Sequence, residues 1–240
     1  MFIKNSQENI NIDLPNNIKN IGMKLSGGLD SSLMLYIVCK YIQDENIDAT
    51  IIPITIEKQK VKFHFKFSEM VIDYCKKEFP TVKFGEHKKI EQHPNQGHNE
   101  TQHIFVKKLI KDKIIDCHFL GITKNPPSDI IFKNSNGSIV LGRPLEIERN
   151  QPQEQILTID NYYYFRPFIN IDKKGIYELY TKFDLLDSLF LLTRSCENES
   201  MDETNNYTTH CGDNCWDCHE REWGFGKIEN KFDLELSLNK

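Results

Sequence analysis

The sequence predicts an α/β protein built on a doubly wound parallel sheet. Three observations predict it. Short apolar runs alternate with stretches of helical period between residues 21 and 122, a pair of glycines sits where the first apolar run meets the first helix, and 39% hydrophobic residues in 240 supply a core. Strands that alternate with helices of this length are joined by crossovers and pair in parallel, and such sheets bind ligands outside the carboxyl ends of their strands.

Residues 1–20 are polar and Asn-rich, with no apolar stretch of signal-peptide length, and are read as an N-terminal extension. Residues 21–25 form the first strand and 26–32 a turn. Leu33, Met34, Ile37, Val38, Tyr41 and Ile42 recur at helical spacing to an end near Asp44. A buried strand follows at 49–56. Phe67, Met70, Val71 and Tyr74 mark a helix over 63–79, stopped by Pro80, with a strand at 81–84. His87, His93, His98 and His103 then occupy a polar segment; their intervals of five and six residues do not make a compact ligand set, so a solvated loop or lid is expected. A helix at 101–113 and a strand at 116–122 continue the rhythm. Two apolar-rich runs, 139–147 and 156–168, flank the polar segment 148–155 and read as an inserted β-hairpin, with Tyr162, Tyr163, Tyr164 and Phe165 packing on a sheet face. A helix at 173–183 and a helix or loop at 185–192 complete the main domain, 21–192, ahead of a C-terminal region at 193–240.

The net charge of -5 gives no general attraction to nucleic acid, so a small anionic ligand is expected rather than a polynucleotide. No window approaches a membrane span, and a cytoplasmic protein without a membrane partner is expected.

The turn reads Ser26-Gly27-Gly28-Leu29-Asp30-Ser31-Ser32. Two adjacent glycines let backbone approach an anion closely, and the first N–H groups of the following helix lack intrahelical partners. With the helix dipole added, a pyrophosphate is held there without a dedicated lysine. No G-x-x-x-x-G-K-[ST] run occurs, which excludes the common P-loop. ATP is therefore the expected ligand, with Ser26, Ser31 and Ser32 donating hydroxyls and Asp30 positioning Mg²⁺, capping the helix, or both.

Seven cysteines without a secretion signal favour thiols over a disulfide framework. Cys39, Cys75 and Cys117 fall on apolar elements and are read as core. Cys196, Cys211, Cys215 and Cys218 offer four thiolates in a segment too polar to bury itself, and a tetrahedral Zn²⁺ would hold it. His210 and His219 flank the cluster as lower-ranked ligands.

The pattern S-G-G-x-D-S resembles the signature of the PP-loop ATP pyrophosphatases, with their adenine nucleotide alpha-hydrolase-like fold. The run Thr193-x-Ser195-Cys196, then Cys211-Gly212, Cys215, and Cys218-x-x-Arg221-x-x-Gly224-Phe225 resembles the zinc motif of one of its families, the 7-cyano-7-deazaguanine synthases of the queuosine and 7-deazapurine pathway. A Pro167-x5-Lys173-x2-Ile176 stretch is also similar, and the likeness spans residues 21–225. The resemblance implies an ATP-dependent ligase that converts 7-carboxy-7-deazaguanine and ammonia to the nitrile with pyrophosphate release. It implies a structural zinc on the four cysteines, with Arg221 on the same motif, and a homodimer; Lys173 and Arg221 are the candidate cations for phosphate or substrate carboxylate. Three residues separate Cys211 from Cys215 where the family usually has two. The alternatives are another PP-loop adenylating enzyme, a tRNA thiolase or amide-forming ligase, and a non-catalytic nucleotide-binding module.

Overall fold

The computed structural model describes residues 1–140, 147–197 and 215–226. Strands β1 (Phe2–Ile3) and β2 (Ile10–Asn11) form a small antiparallel ribbon. The main sheet comprises β3 (Asn20–Lys24), β4 (Thr50–Glu57), β5 (Lys83–Phe84), β6 (Lys88–Glu91), β7 (Cys117–Phe119), β8 (Ile156–Ile159) and β9 (Tyr162–Phe165). Its order is β5-β4-β3-β7-β9-β8, with β6 also on β4, and every pairing is parallel except β8 with β9. The helices are α1 (Leu29–Asp44), α2 (His64–Glu78), α3 (His98–Lys111), α4 (Lys173–Lys182) and α5 (Trp216–Phe225).

The period-two alternation of each strand sorts its residues onto two cores. Ile21, Met23, Cys117 and Phe119 face Leu33, Ile37 and Val38 of α1, Val71 and Cys75 of α2, and Ile176 and Leu179 of α4. Ile52, Ile54, Ile56 and Tyr162 face Val106 and Leu109 of α3. Helices on both faces make the sheet doubly wound. From β3 the chain first builds outward through β4, then returns to place β7 on the other side of β3. The crevice outside the carboxyl ends of β3 and β7 is therefore the topological switch point, where the Ser26–Ser32 turn lies.

Two expectations are corrected in detail. The hairpin lies wholly within the second apolar run: β8 and β9 are joined by Asp160 and Asn161, whose φ values of 53° and 61° suit the primed two-residue turn that matches strand twist. Its strand β9 pairs with β7, so the hairpin extends the main sheet. Of the first run, Ile139 bridges Lys133, and residues 141–146 lie outside the described residues. The second correction concerns residues 1–20, which are a packed strap. Ile3, Ile10, Ile12, Leu14 and Ile18 are buried, while Asn5 Nδ2 donates to Gly175 O at 2.9 Å and Gln7 Nε2 to Asp172 Oδ1 at 2.7 Å, at the start of α4.

Cys39, Cys75 and Cys117 are buried in the core, where burial pushes the Cys39 and Cys117 thiols up. No helix among the described residues is long and apolar enough to cross a membrane.

Candidate active site

The turn at 26–32 is held open by contacts its glycines permit. Gly27 takes a φ of 76°, and a Cβ there would come within 2.4 Å of Phe67 Cβ, so the turn lies flat against the first turns of α2. Gly121, just past β7, approaches so closely that a Cβ would meet Ser31 N at 2.8 Å. Ser31 Oγ donates to Gly28 O at 3.2 Å and accepts from Ser26 N at 3.2 Å, which sets the shape of the turn. Gly28 holds the N-cap position without a side-chain cap, and the N–H groups of Leu29, Asp30 and Ser31 have no acceptor among the described residues. Asp30 is therefore not the cap. Its Oδ2 meets Lys173 Nζ and accepts from Thr123 Oγ1 at 3.4 Å, while its Oδ1 is buried with no partner among the described residues.

Lys173, the first residue of α4, is 7% exposed and lies between two carboxylates, Asp30 and Glu220, the latter 3.6 Å away. Asp172 caps α4 through the N–H groups of Lys174 and Gly175, which fixes the direction of the Lys173 stem. Glu220 comes from α5. That helix can reach α4 because Gly224 has no Cβ: one placed there would lie 2.5 Å from Lys173 Cβ.

Cys196, Cys215 and Cys218 converge, with their sulfurs within 4.8 Å of one another and all three buried. Cys215 caps α5, its Sγ accepting from Cys218 N at 3.4 Å. Three buried sulfurs at this spacing fit three corners of a tetrahedral zinc site. Cys211, the expected fourth ligand, and His210 lie outside the described residues. The ring of His219 packs parallel to Phe132, with centroids 5.7 Å apart. The cluster stands next to the turn, because Arg194 N, two residues before Cys196, donates to Gly27 O at 2.9 Å.

Arg221 is placed behind the cleft rather than on it. It is fully buried, with its guanidinium 4.2 Å over the Phe190 ring and Nη1 donating to Thr193 Oγ1 at 2.9 Å and Ser195 Oγ at 3.4 Å. On α5 it lies three residues after Cys218, on the face that anchors the 193–196 segment. It fastens the cysteine segment and does not face the cleft.

These parts surround a cleft of about 480 Å³. Ser26, Gly28, Leu29, Asp30 and Ser31 line its base; Gly121, Ile122, Thr123, Lys173, Asp217 and Glu220 line one wall, and Lys58, Phe63, His64, Gly97, His98 and Asn99 the other. Ser32 is buried behind the turn. No cysteine lines the cleft among the described residues.

Several lining residues carried no sequence signal. Thr123 and Glu220 are marked only by what they touch. His98 sits at the start of α3 instead of in a loop, and burial together with Lys24 and Lys58 lowers its pKa to about 3, so it stays neutral. His87 bonds to Thr55 Oγ1 at 2.8 Å, and β6 occupies part of the segment expected to be irregular. The four histidines do not converge on a metal site.

No protein-family model matches the chain, and no curated protein matches it. Among solved structures it is similar to FMN adenylyltransferase from Candida glabrata, in complex with FMN and an ATP analogue, at 15% identity and a TM-score of 0.39, covering 69% of this chain and 49% of that one. It is also similar to a U34-tRNA thiolase from Methanococcus maripaludis with its [4Fe-4S] cluster, at 15% identity and a TM-score of 0.40, covering 72% and 58%. The chain thus spans about half of the first protein's length and somewhat more of the second's. Neither likeness is close enough to carry activity or substrate to this chain.

Proposed function

We propose that the chain is an ATP-dependent carbon–nitrogen ligase of the PP-loop type, converting 7-carboxy-7-deazaguanine and ammonia to 7-cyano-7-deazaguanine through adenylated intermediates. One observation carries the adenylation chemistry: unclaimed N–H groups of Leu29, Asp30 and Ser31 open into the cleft at the switch point of the sheet, beside the Lys173–Asp30 pair. The substrate rests on the motif resemblance around Cys196, Cys215 and Cys218.

In this reading the β- and γ-phosphates lie on the amides at the mouth of α1, and the substrate carboxylate attacks the α-phosphate. Charge builds on the departing pyrophosphate, where fixed donors stabilise it without reorganising. Lys173 supplies a buried cation beside that charge, with Asp30 and Glu220 keeping its ammonium in place. Magnesium fits the site because Asp30 Oδ1 is buried without a partner among the described residues, and Asp30 would hold it. When bound, it would neutralise phosphate charge. Zinc would be structural, on Cys196, Cys215 and Cys218 with Cys211 expected to complete it.

The test is incubation with Mg·ATP, ammonia and 7-carboxy-7-deazaguanine, read by mass spectrometry. The nitrile with pyrophosphate release supports the reading. Pyrophosphate release on a different acid with no nitrile would move the assignment to another adenylating ligase.

A further inference from the structure

On the β4 side of the crevice stands a group that binding of phosphate does not use. Glu57 ends β4 and is 4% exposed, yet it is fully occupied: Oε1 accepts from His64 N at 3.0 Å and Oε2 from Phe65 N at 2.8 Å. The carboxylate thus serves the free N–H groups at the start of α2, a duty usually left to a residue next to the helix. It also meets His64 Nδ1 at 3.2 Å. A carboxylate in this position only accepts, so Nδ1 is the donor of this contact, which leaves Nε2 as the ring's other nitrogen. Glu57 is the only hydrogen-bond partner of that ring among the described residues, and His64 lines the cleft.

The ring cannot turn away. Phe63 stacks on it with centroids 4.3 Å apart and planes 16° apart, and the His98 ring lies 6.1 Å off on the other element of that wall. His98 Nδ1 is buried without a partner among the described residues. The contact of Gly27 with Phe67, one turn after His64, places the start of α2 against the phosphate turn. A carboxylate holding Nδ1 of a histidine that lines a cleft is the arrangement that orients a histidine as a general base.

We propose that His64 is the catalytic base that accepts the proton lost by the incoming ammonia, with Glu57 as its positioning residue. The inference rests on the adenylation reading above and deepens it. As the ammonia nitrogen attacks the carbonyl carbon of the acyl adenylate, the C–N bond forms. The surplus N–H proton passes to His64 Nε2, the C–O bond to AMP breaks, and AMP leaves with that electron pair. The products are the amide, AMP and an imidazolium that Glu57 stabilises and that returns its proton to solvent.

The experiment separates activation from amination in the full-length protein with 7-carboxy-7-deazaguanine as the acid. His64→Gln should retain acid-dependent exchange of labelled pyrophosphate into ATP, while amide formation from ammonia falls about 100-fold or more. Hydroxylamine, whose adduct loses its proton readily to water, should trap the adenylate at the same rate in the unchanged chain and the variant. Glu57→Gln, also checked by exchange, should show a smaller loss confined to ammonia. Undiminished amide formation overturns the proposal, as does an equal loss with ammonia, hydroxylamine and exchange, which would mark His64 as structural. If the unchanged chain shows no exchange, the adenylation reading itself fails and takes this one with it.

Discussion

Gly224 of α5 lies against Lys173 of α4 so closely that a Cβ on the glycine would stand 2.5 Å from the lysine Cβ and 3.0 Å from its carbonyl oxygen. The contact joins the cysteine region to the cleft. It brings Glu220 to Lys173 and sets where the ammonium lies. Gly224→Ala should therefore act as an overpacked core substitution, costing about 1–3 kcal/mol. Urea denaturation would measure that loss, and pyrophosphate release should fall with it because Lys173 is displaced.

Lys173→Met removes the cation shared by Asp30 and Glu220. Breaking such a pair costs about 3–5 kcal/mol. The variant should be clearly less stable in denaturant, and its ATP-dependent pyrophosphate release should drop about 100-fold, the scale of one lost fixed donor to developing charge.

Stripping metal with a strong chelator should release about one zinc per chain and lower the unfolding temperature. Iodoacetamide should then modify Cys196, Cys215 and Cys218, which resist it beforehand, while Cys39, Cys75 and Cys117 stay buried in the core. Metal content is checked by elemental analysis and labelling by peptide mass. Unchanged stability on stripping would remove zinc from the account.

Acid should destabilise the fold through His118, which is fully buried on β7 and whose pKa burial, with Lys24 nearby, depresses to about 3. Unfolded, it takes up a proton below about 6.5. Between those values the unfolded chain binds more protons, so stability is present above the unfolded value and is lost as pH falls toward the folded one. The loss should be on the order of 1 kcal/mol per pH unit for this residue. His118→Asn should flatten the slope of stability against pH between 6 and 4, measured by denaturant titration.

The sheet was legible because α1, α2, β3 and β4 carry strong, uninterrupted hydrophobic periods, and the Ser26–Ser32 turn because two glycines at a strand–helix junction have few other uses. The thiol cluster was legible in the spacing of Cys215 and Cys218. The N-terminal strap was not, because its isoleucines stand singly in an otherwise polar stretch, and Asn5 and Gln7 find their partners across the chain at Gly175 and Asp172. Arg221 shows the limit of motif position: its place in a C-x-x-R element does not reveal that the guanidinium faces Phe190 and Thr193 instead of the cleft. Glu57 and His64 meet only because α2 starts beside the end of β4, a contact between side chains that no spacing rule announces.

In the proposed reaction, backbone amides at the mouth of α1 hold the diphosphate of ATP. A crystal structure with a non-hydrolysable ATP analogue tests it most directly. Phosphate oxygens should lie within hydrogen-bond distance of the Leu29, Asp30 and Ser31 N–H groups, with Lys173 beside them. A nucleotide bound with its phosphates elsewhere, and that turn untouched, would contradict it.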